Sequence, residues 1–270
     1  MAELNHTSPR ASDPERAHPF RTSWGSRALW AGLVLYLVYA VTTLDLTWAR
    51  FLVGIDQGGE LLGRLFPANF ARWELLLSDL IESLQIAIIA SVVGIAISLF
   101  VGLLAARNLM PNLVSAPMRV FIALCRTFHP VIIAILFVKA VGFGALAGIL
   151  TLIVASIGFI AKLFAEAIEE ISLKQVEAIR ATGAGFASII LFGVLPQVFS
   201  RFIGFSMYQL DSNLRNSTMV GIVGAGGLGG TLFSAFQRFD YDFVTAILIT
   251  IIALILVGEA LSNTVRRVFQ

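Results

Sequence analysis

Apolar runs of membrane-crossing length recur along almost the whole chain, and they restrict its fold more than any motif does. A bilayer core takes about 20 predominantly apolar residues to cross as a helix, and inside it only helices and closed barrels satisfy their own backbone groups. Residues 28–44, 79–106, 120–141, 145–164, 186–208 and 243–262 each read as such a run. With 57% of 270 residues hydrophobic and 13% charged, an ordinary soluble domain is excluded. The expected fold class is all-α, a polytopic membrane protein of about six transmembrane helices.

The segments between the runs set the topology. Residues 1–27 are polar, with Pro9, Pro14 and Pro19 and four arginines against three acids, and read as a disordered cytoplasmic tail that turns purely basic from Arg21 to Arg27. Residues 28–44 read as an uncleaved first transmembrane helix. A signal peptide competes, but the polar region ahead is long and the small residues are poorly placed for cleavage. Residues 45–78, with Trp48, Trp73, Gly58-Gly59 and Pro67, read as an external loop with interfacial helices. Residues 79–267 form the main membrane domain, opening on a run longer than a span needs, which tilts or projects. Counting Lys and Arg in the short loops places the tail, the linker 107–119, the stretch 172–183 and Arg266-Arg267 on one side, so both termini are expected in the cytoplasm.

Composition excludes several functions. A net charge of +2 is too small to suggest nucleic-acid binding. Cys125 is the single cysteine, and His6, His18 and His129 lie far apart, so no metal site is expected. No Ser-His-Asp set or cluster of interfacial carboxylates supports a catalytic centre, which weighs against the rival class of an integral-membrane enzyme acting on phospholipids.

Residues 172–196, SLKQVEAIRATGAGFASIILFGVLP, stand apart. Lys174, Glu177 and Arg180 place the first half in water, at a membrane surface. Ser172 followed by Gln175 has the spacing of a capping box, and Gly183 offers the left-handed residue that ends a helix. Val176 and Ile179 share one face, so the stretch reads as a short amphipathic helix at about 172–183, tethered between two membrane helices.

Glu177, Ala178, Gly183, Leu195 and Pro196 stand at the spacing of the Glu-Ala-Ala motif of bacterial ABC importer permeases, which this stretch resembles. Ile179 in place of the second Ala, and Gly193 in place of Ile, depart from it. In that family this loop is the coupling helix, which docks on a cytoplasmic ATPase. The resemblance therefore implies that Glu177, Ala178, Arg180 and Gly183 serve ATPase coupling.

Further residues invite a functional reading. Arg126, His129 and Lys139 lie in or beside the third run, where unpaired charge usually faces a cavity. Arg126 and His129, three apart, are expected on one helix face. The alternative is that Arg126 snorkels and Lys139 marks a helix end. Asp211, Asn213, Arg215 and Ser217 fall in a dense polar run, DSNLRNST, that follows an apolar helix. Gly224, Gly226, Gly227 and Gly229 match G-x-G-x-x-G, yet no lysine follows and no strand precedes. They are expected instead in a flexible or re-entrant loop lining a path.

DSNLRNST and GIVGAGGLG, with EAIRATGA and FGVLPQ, are similar to the phosphonate permease family of binding-protein-dependent ABC importers, over roughly residues 172–267. The resemblance implies a type I ABC importer permease fold in the bacterial cytoplasmic (inner) membrane, working as a homodimer. It implies as partners a second copy, a cytoplasmic ABC ATPase dimer, an extracytoplasmic substrate-binding protein and the lipid bilayer. ATP and Mg would be bound by the ATPase, leaving no catalytic role and no cofactor in this chain. The passenger would be phosphonate or a related oxyanion, phosphate or phosphite, moving along a path with Arg126, His129, Asp211, Asn213, Arg215 and Ser217. A permease of the amino-acid or methionine type is the alternative, since such permeases share a related VGAGGLG segment.

Overall fold

The computed structural model describes residues 24–44 and 47–269, and the regular elements among them are all helical. Residues 1–23, most of the expected tail, lie outside the described residues. The chain divides into two units, Met1–Leu61 and Leu62–Gln270. In the first, α1 (Trp24–Thr43) already includes the end of the expected tail, and none of its residues is buried. The second helix, α2 (Trp48–Leu65), crosses the boundary between the units and also has no buried residue. In the segment expected as an external loop with interfacial helices, helix predominates: the Gly58-Gly59 pair lies inside α2, and the break comes around Pro67, where a proline removes a helix donor.

The second unit is built on α3 (Trp73–Ala105) and α6 (Ala145–Glu169), which run side by side in the same direction. Ile86 meets Gly148, Gly94 meets Ser156 and Gly102 meets Phe164, a constant offset at intervals of two helical turns. Small residues make this approach possible: a Cβ on Gly94 would lie 2.7 Å from Ser156 Cβ. Close backbone approach through small residues is a standard way for helices to associate in lipid, where hydrophobic burial drives little.

Between these helices the chain returns through α4 (Asn112–Thr127) and α5 (Pro130–Val141), bent by 90° at Phe128 and His129. The third run is thus a broken span rather than one helix. Pro130 is the cause: it disfavours helical conformation in the residue before it, and Phe128 and His129 are both extended. Five described helices are long and apolar enough to cross a membrane, or six if the bent pair counts as one span.

After α6 come α7 (Leu173–Ala181) and α8 (Phe186–Ile189), then a π-turn at Ile190–Val194 that leads into α9 (Leu195–Ile222). Leu195 N donates five residues back to Ile190 O just ahead of Pro196, which has no N–H to give. The polar run 211–218 does not follow a helix but lies within α9. A glycine-rich loop joins α9 to α10 (Leu228–Gln237), and α11 (Tyr241–Phe269) closes the bundle.

Apolar clusters stack along the bundle. At the glycine-loop end Leu76 packs with Leu228, Leu232, Phe243 and Ile247. In the middle Ile86, Ala134, Leu152 and Val220 meet. At the opposite end Phe164, Ile168, Val176, Val194 and Val198 join the end of α6 to α7 and the start of α9.

Candidate functional site

The short helix α7 sits at one end of the bundle, held by a small hydrophobic footing. Val176 is buried at 2% exposure and Ile179 is half-buried beside it, while Lys174, Gln175, Glu177, Ala178 and Arg180 are exposed. The expected capping box does not form, because Ser172 makes no side-chain bond to the helix start. Gln197 of α9 takes over: its Oε1 accepts from Ser172 N at 3.0 Å, and its Nε2 donates to Ser172 O at 3.4 Å and to Gly193 O at 2.6 Å. Gly183 has a φ of +76°, so the left-handed stop occurs where the motif places its glycine. Glu170 pairs with Arg201, tying the end of α6 to α9 beside α7. The four residues read as coupling positions thus lie on or just beyond one exposed ledge, mounted on the root of α9.

At the opposite end, Gly224, Gly226 and Gly227 have φ of +96°, +84° and +68° in the loop between α9 and α10. A Cβ on Gly227 would lie 3.2 Å from the Ser83 Cα, so the loop backbone comes closer to α3 than a side chain would comfortably allow. Leu228 N donates to Ser83 Oγ at 2.8 Å, and Gly144 N to Gly224 O at 3.0 Å. The loop is therefore anchored on both sides, and Gly229 belongs to α10 rather than to the loop. A cavity of about 360 Å³ opens beside it, lined among others by Arg72, Asp79, Glu82, Thr231 and Arg238. Arg72 pairs with Asp240 and Asp79 accepts from Thr231.

The charged and polar residues expected along one path are not brought to one place. Arg126 lies in the last turn of α4, whereas His129 lies beyond the break and caps α5, its Nδ1 accepting from Val131 N at 3.4 Å. The shared helix face expected for the two does not exist. Asn213 is fully buried, with Nδ2 donating to Ser91 Oγ at 2.9 Å and Ser156 Oγ at 3.0 Å, while Gln209 Nε2 donates to Asn213 Oδ1 at 2.9 Å. This network ties α3, α6 and α9 together. Ser217 is also fully buried, bonding to Leu214 O. Asp211 is 5% exposed and pairs with Arg215, whose side chain is half-exposed.

Gln197 and Lys162 are two residues with structural partners to which the sequence pattern assigns no role. Gln197 follows the Leu-Pro of the motif directly, and Lys162 is a lone cation in an apolar helix. Among the described residues no group of three or more His, Cys, Asp or Glu is placed to hold a metal ion.

The comparisons with known proteins agree with this architecture. The phosphite transport system permease protein PtxC of Stutzerimonas stutzeri is 38% identical over 247 residues, covering 91% of this chain and 89% of that protein. The phosphate-import permease protein PhnE of Mycolicibacterium smegmatis is 36% identical over 94% of this chain, which spans 48% of that longer protein. Among solved structures, an inward-facing form of the MetNI methionine ABC transporter aligns with a TM-score of 0.66 at 23% identity, over 75% of this chain and 99% of that one. The expected type I ABC importer permease fold therefore stands. Residues 98–270 match the family described as binding-protein-dependent transport system inner membrane component, and this chain belongs to that family.

Proposed function

We propose that this chain is the permease subunit through which an ATP-driven, binding-protein-dependent importer passes phosphorus oxyanions: phosphonate, phosphite or phosphate. As a permease it carries out no covalent chemistry, and its family implies an ATPase and a substrate-binding protein as partners. The observation that carries the reading is α7, a nine-residue helix held by Val176 and Gln197 with its charged face free to dock. Permeases named for phosphite and phosphate, at 38% and 36% identity, support the passenger class.

In this reading α7 and both termini face the cytoplasm, as the basic residues Arg107, Arg119, Lys174 and Arg180 near that end favour. The glycine loop faces outward, toward the binding protein. Two copies pair, so that half-exposed charges such as Arg215 face water or a neighbour rather than lipid. ATP and Mg are held by the ATPase, and its closure draws the two α7 helices together and turns the path outward. Co-purification of the tagged chain from native membranes in mild detergent tests this. An ATPase subunit retained by the wild type and lost in Glu177→Arg is the expected result. No ATPase under conditions that preserve other membrane complexes would overturn it.

A further inference from the structure

The cleft between α4 and α6 is lined by three cations, Arg119, Arg126 and Lys162, with one carboxylate, Glu166, and an apolar wall from Ile122 and Ala165. Its volume is about 190 Å³, several times the share of about 30 Å³ that one water occupies. Two of the cations have partners. Arg119 pairs with Glu169 and donates from Nε to Ala105 O at 3.0 Å, and Lys162 stands 3.5 Å from Glu166.

Among the described residues the Arg126 guanidinium meets no carboxylate. Its stem lies across Gly158, where a Cβ would come within 2.8 Å of Arg126 Cγ. The glycine thus seats the arginine against α6. Gly158 lies eleven residues from Glu169, the last residue of α6, or roughly 16 Å at the helical rise. The Arg126 stem therefore crosses α6 near the middle of that helix, and a guanidinium carried from there is costly to leave facing lipid without an anion or water to answer it. Arg119 and Lys162 stand successively deeper from the α7 end, so the cations rise through the cleft toward Arg126. Its planar fork suits the paired oxygens of a phosphoryl group. Arg215 is differently placed, its charge already met by Asp211, and the larger cavity by the glycine loop includes two carboxylates, Asp79 and Glu82.

We infer that this cleft is a binding site for a phosphoryl oxyanion, with Arg126 as its fork and Lys162 and Arg119 as supporting charges. The oxyanion comes either from the passing solute or from the headgroup of an anionic lipid. The solute case rests on the proposed function, whereas the lipid case does not.

The test uses the permease–ATPase complex in nanodiscs of phosphatidylcholine, with or without phosphatidylglycerol. Phenylglyoxal modification of Arg126 is read by peptide mass spectrometry while inorganic phosphate or phosphite is titrated at constant ionic strength. Protection by either anion in phosphatidylcholine, with the half-protecting concentration raised about tenfold by Lys162→Gln, assigns the site to the solute. Protection that appears only with phosphatidylglycerol supports the site with the lipid headgroup as its ligand. Equal labelling of Arg126 under every condition would overturn the inference. Uptake of phosphonate, phosphite and phosphate by the complete importer in proteoliposomes is measured alongside. Absence of uptake for all three would sink the proposed function without touching the labelling result.

Discussion

A branched side chain on α7 and an absent one in the π-turn share the same space. A Cβ on Gly193 would lie 3.2 Å from Ile179 Cδ1, with the Val176 backbone close behind. These are the two positions that depart from the Glu-Ala-Ala motif, which has a small residue on the helix and a large one fourteen positions later. Here the sizes are exchanged and the volume is kept, the kind of swap that packed interiors tolerate best. Gly193→Ile alone is expected to overpack the joint and cost about 1–3 kcal/mol. Ile179→Ala alone leaves a gap worth about 2 kcal/mol, near the low end for a half-buried isoleucine. The double variant should recover most of the loss, with a coupling of about 0.5–3 kcal/mol. Thermal unfolding of the detergent-purified complex checks all three, and strict additivity would refute the pairing. Each departure was visible in the sequence, but their contact was not, because it depends on how α7 folds back across the intervening turn.

The helices themselves were largely legible, since apolarity over a span's length is a strong signal and α3, α6 and α11 lie where the runs predicted. What escaped was decided by hydrogen bonds between segments distant in sequence. The polar run 211–218 can lie buried within a helix because Asn213 finds Ser91 and Ser156 on two other helices. Pro130 turned one run into two helices, so Arg126 and His129 parted company. The start of α7 is held by Gln197 rather than by its own capping residues. Gln197→Ala should therefore leave intact the exposed face of α7 that is proposed to dock, while loosening its mounting. The expected result is an ATPase that still co-purifies but hydrolyses ATP with several-fold less transport per turnover, the loss of hydrogen bonds worth about 1 kcal/mol each. Unchanged coupling in proteoliposomes would show that the clamp has no mechanical role.

Across the whole second unit, the two ends are joined by continuous structure. The α7 footing leads through the π-turn into α9, and α9 ends in the glycine loop that touches α3 and the start of α6. Midway, the Gln209–Asn213–Ser91–Ser156 network ties α9 to the α3–α6 pair. Asn213→Ala would leave Gln209, Ser91 and Ser156 short of a partner in a buried site, at a cost of about 1–3 kcal/mol. The expected outcome is a lowered unfolding temperature together with reduced transport; normal stability would show that the network is dispensable.

The parallel course of α3 and α6 also has a consequence in time. Helices that run the same way cannot be a simple hairpin, and their contacts join residues 62 apart, as Gly94 and Ser156 are. At about 5–20 residues per second the ribosome needs roughly 3–12 s to supply that interval. For those seconds Gly94, Ser98 and Gly102 of α3 have no α6 to receive them. During biogenesis the first main helix of this domain therefore waits in the membrane with its small-residue face uncovered until α6 has been made.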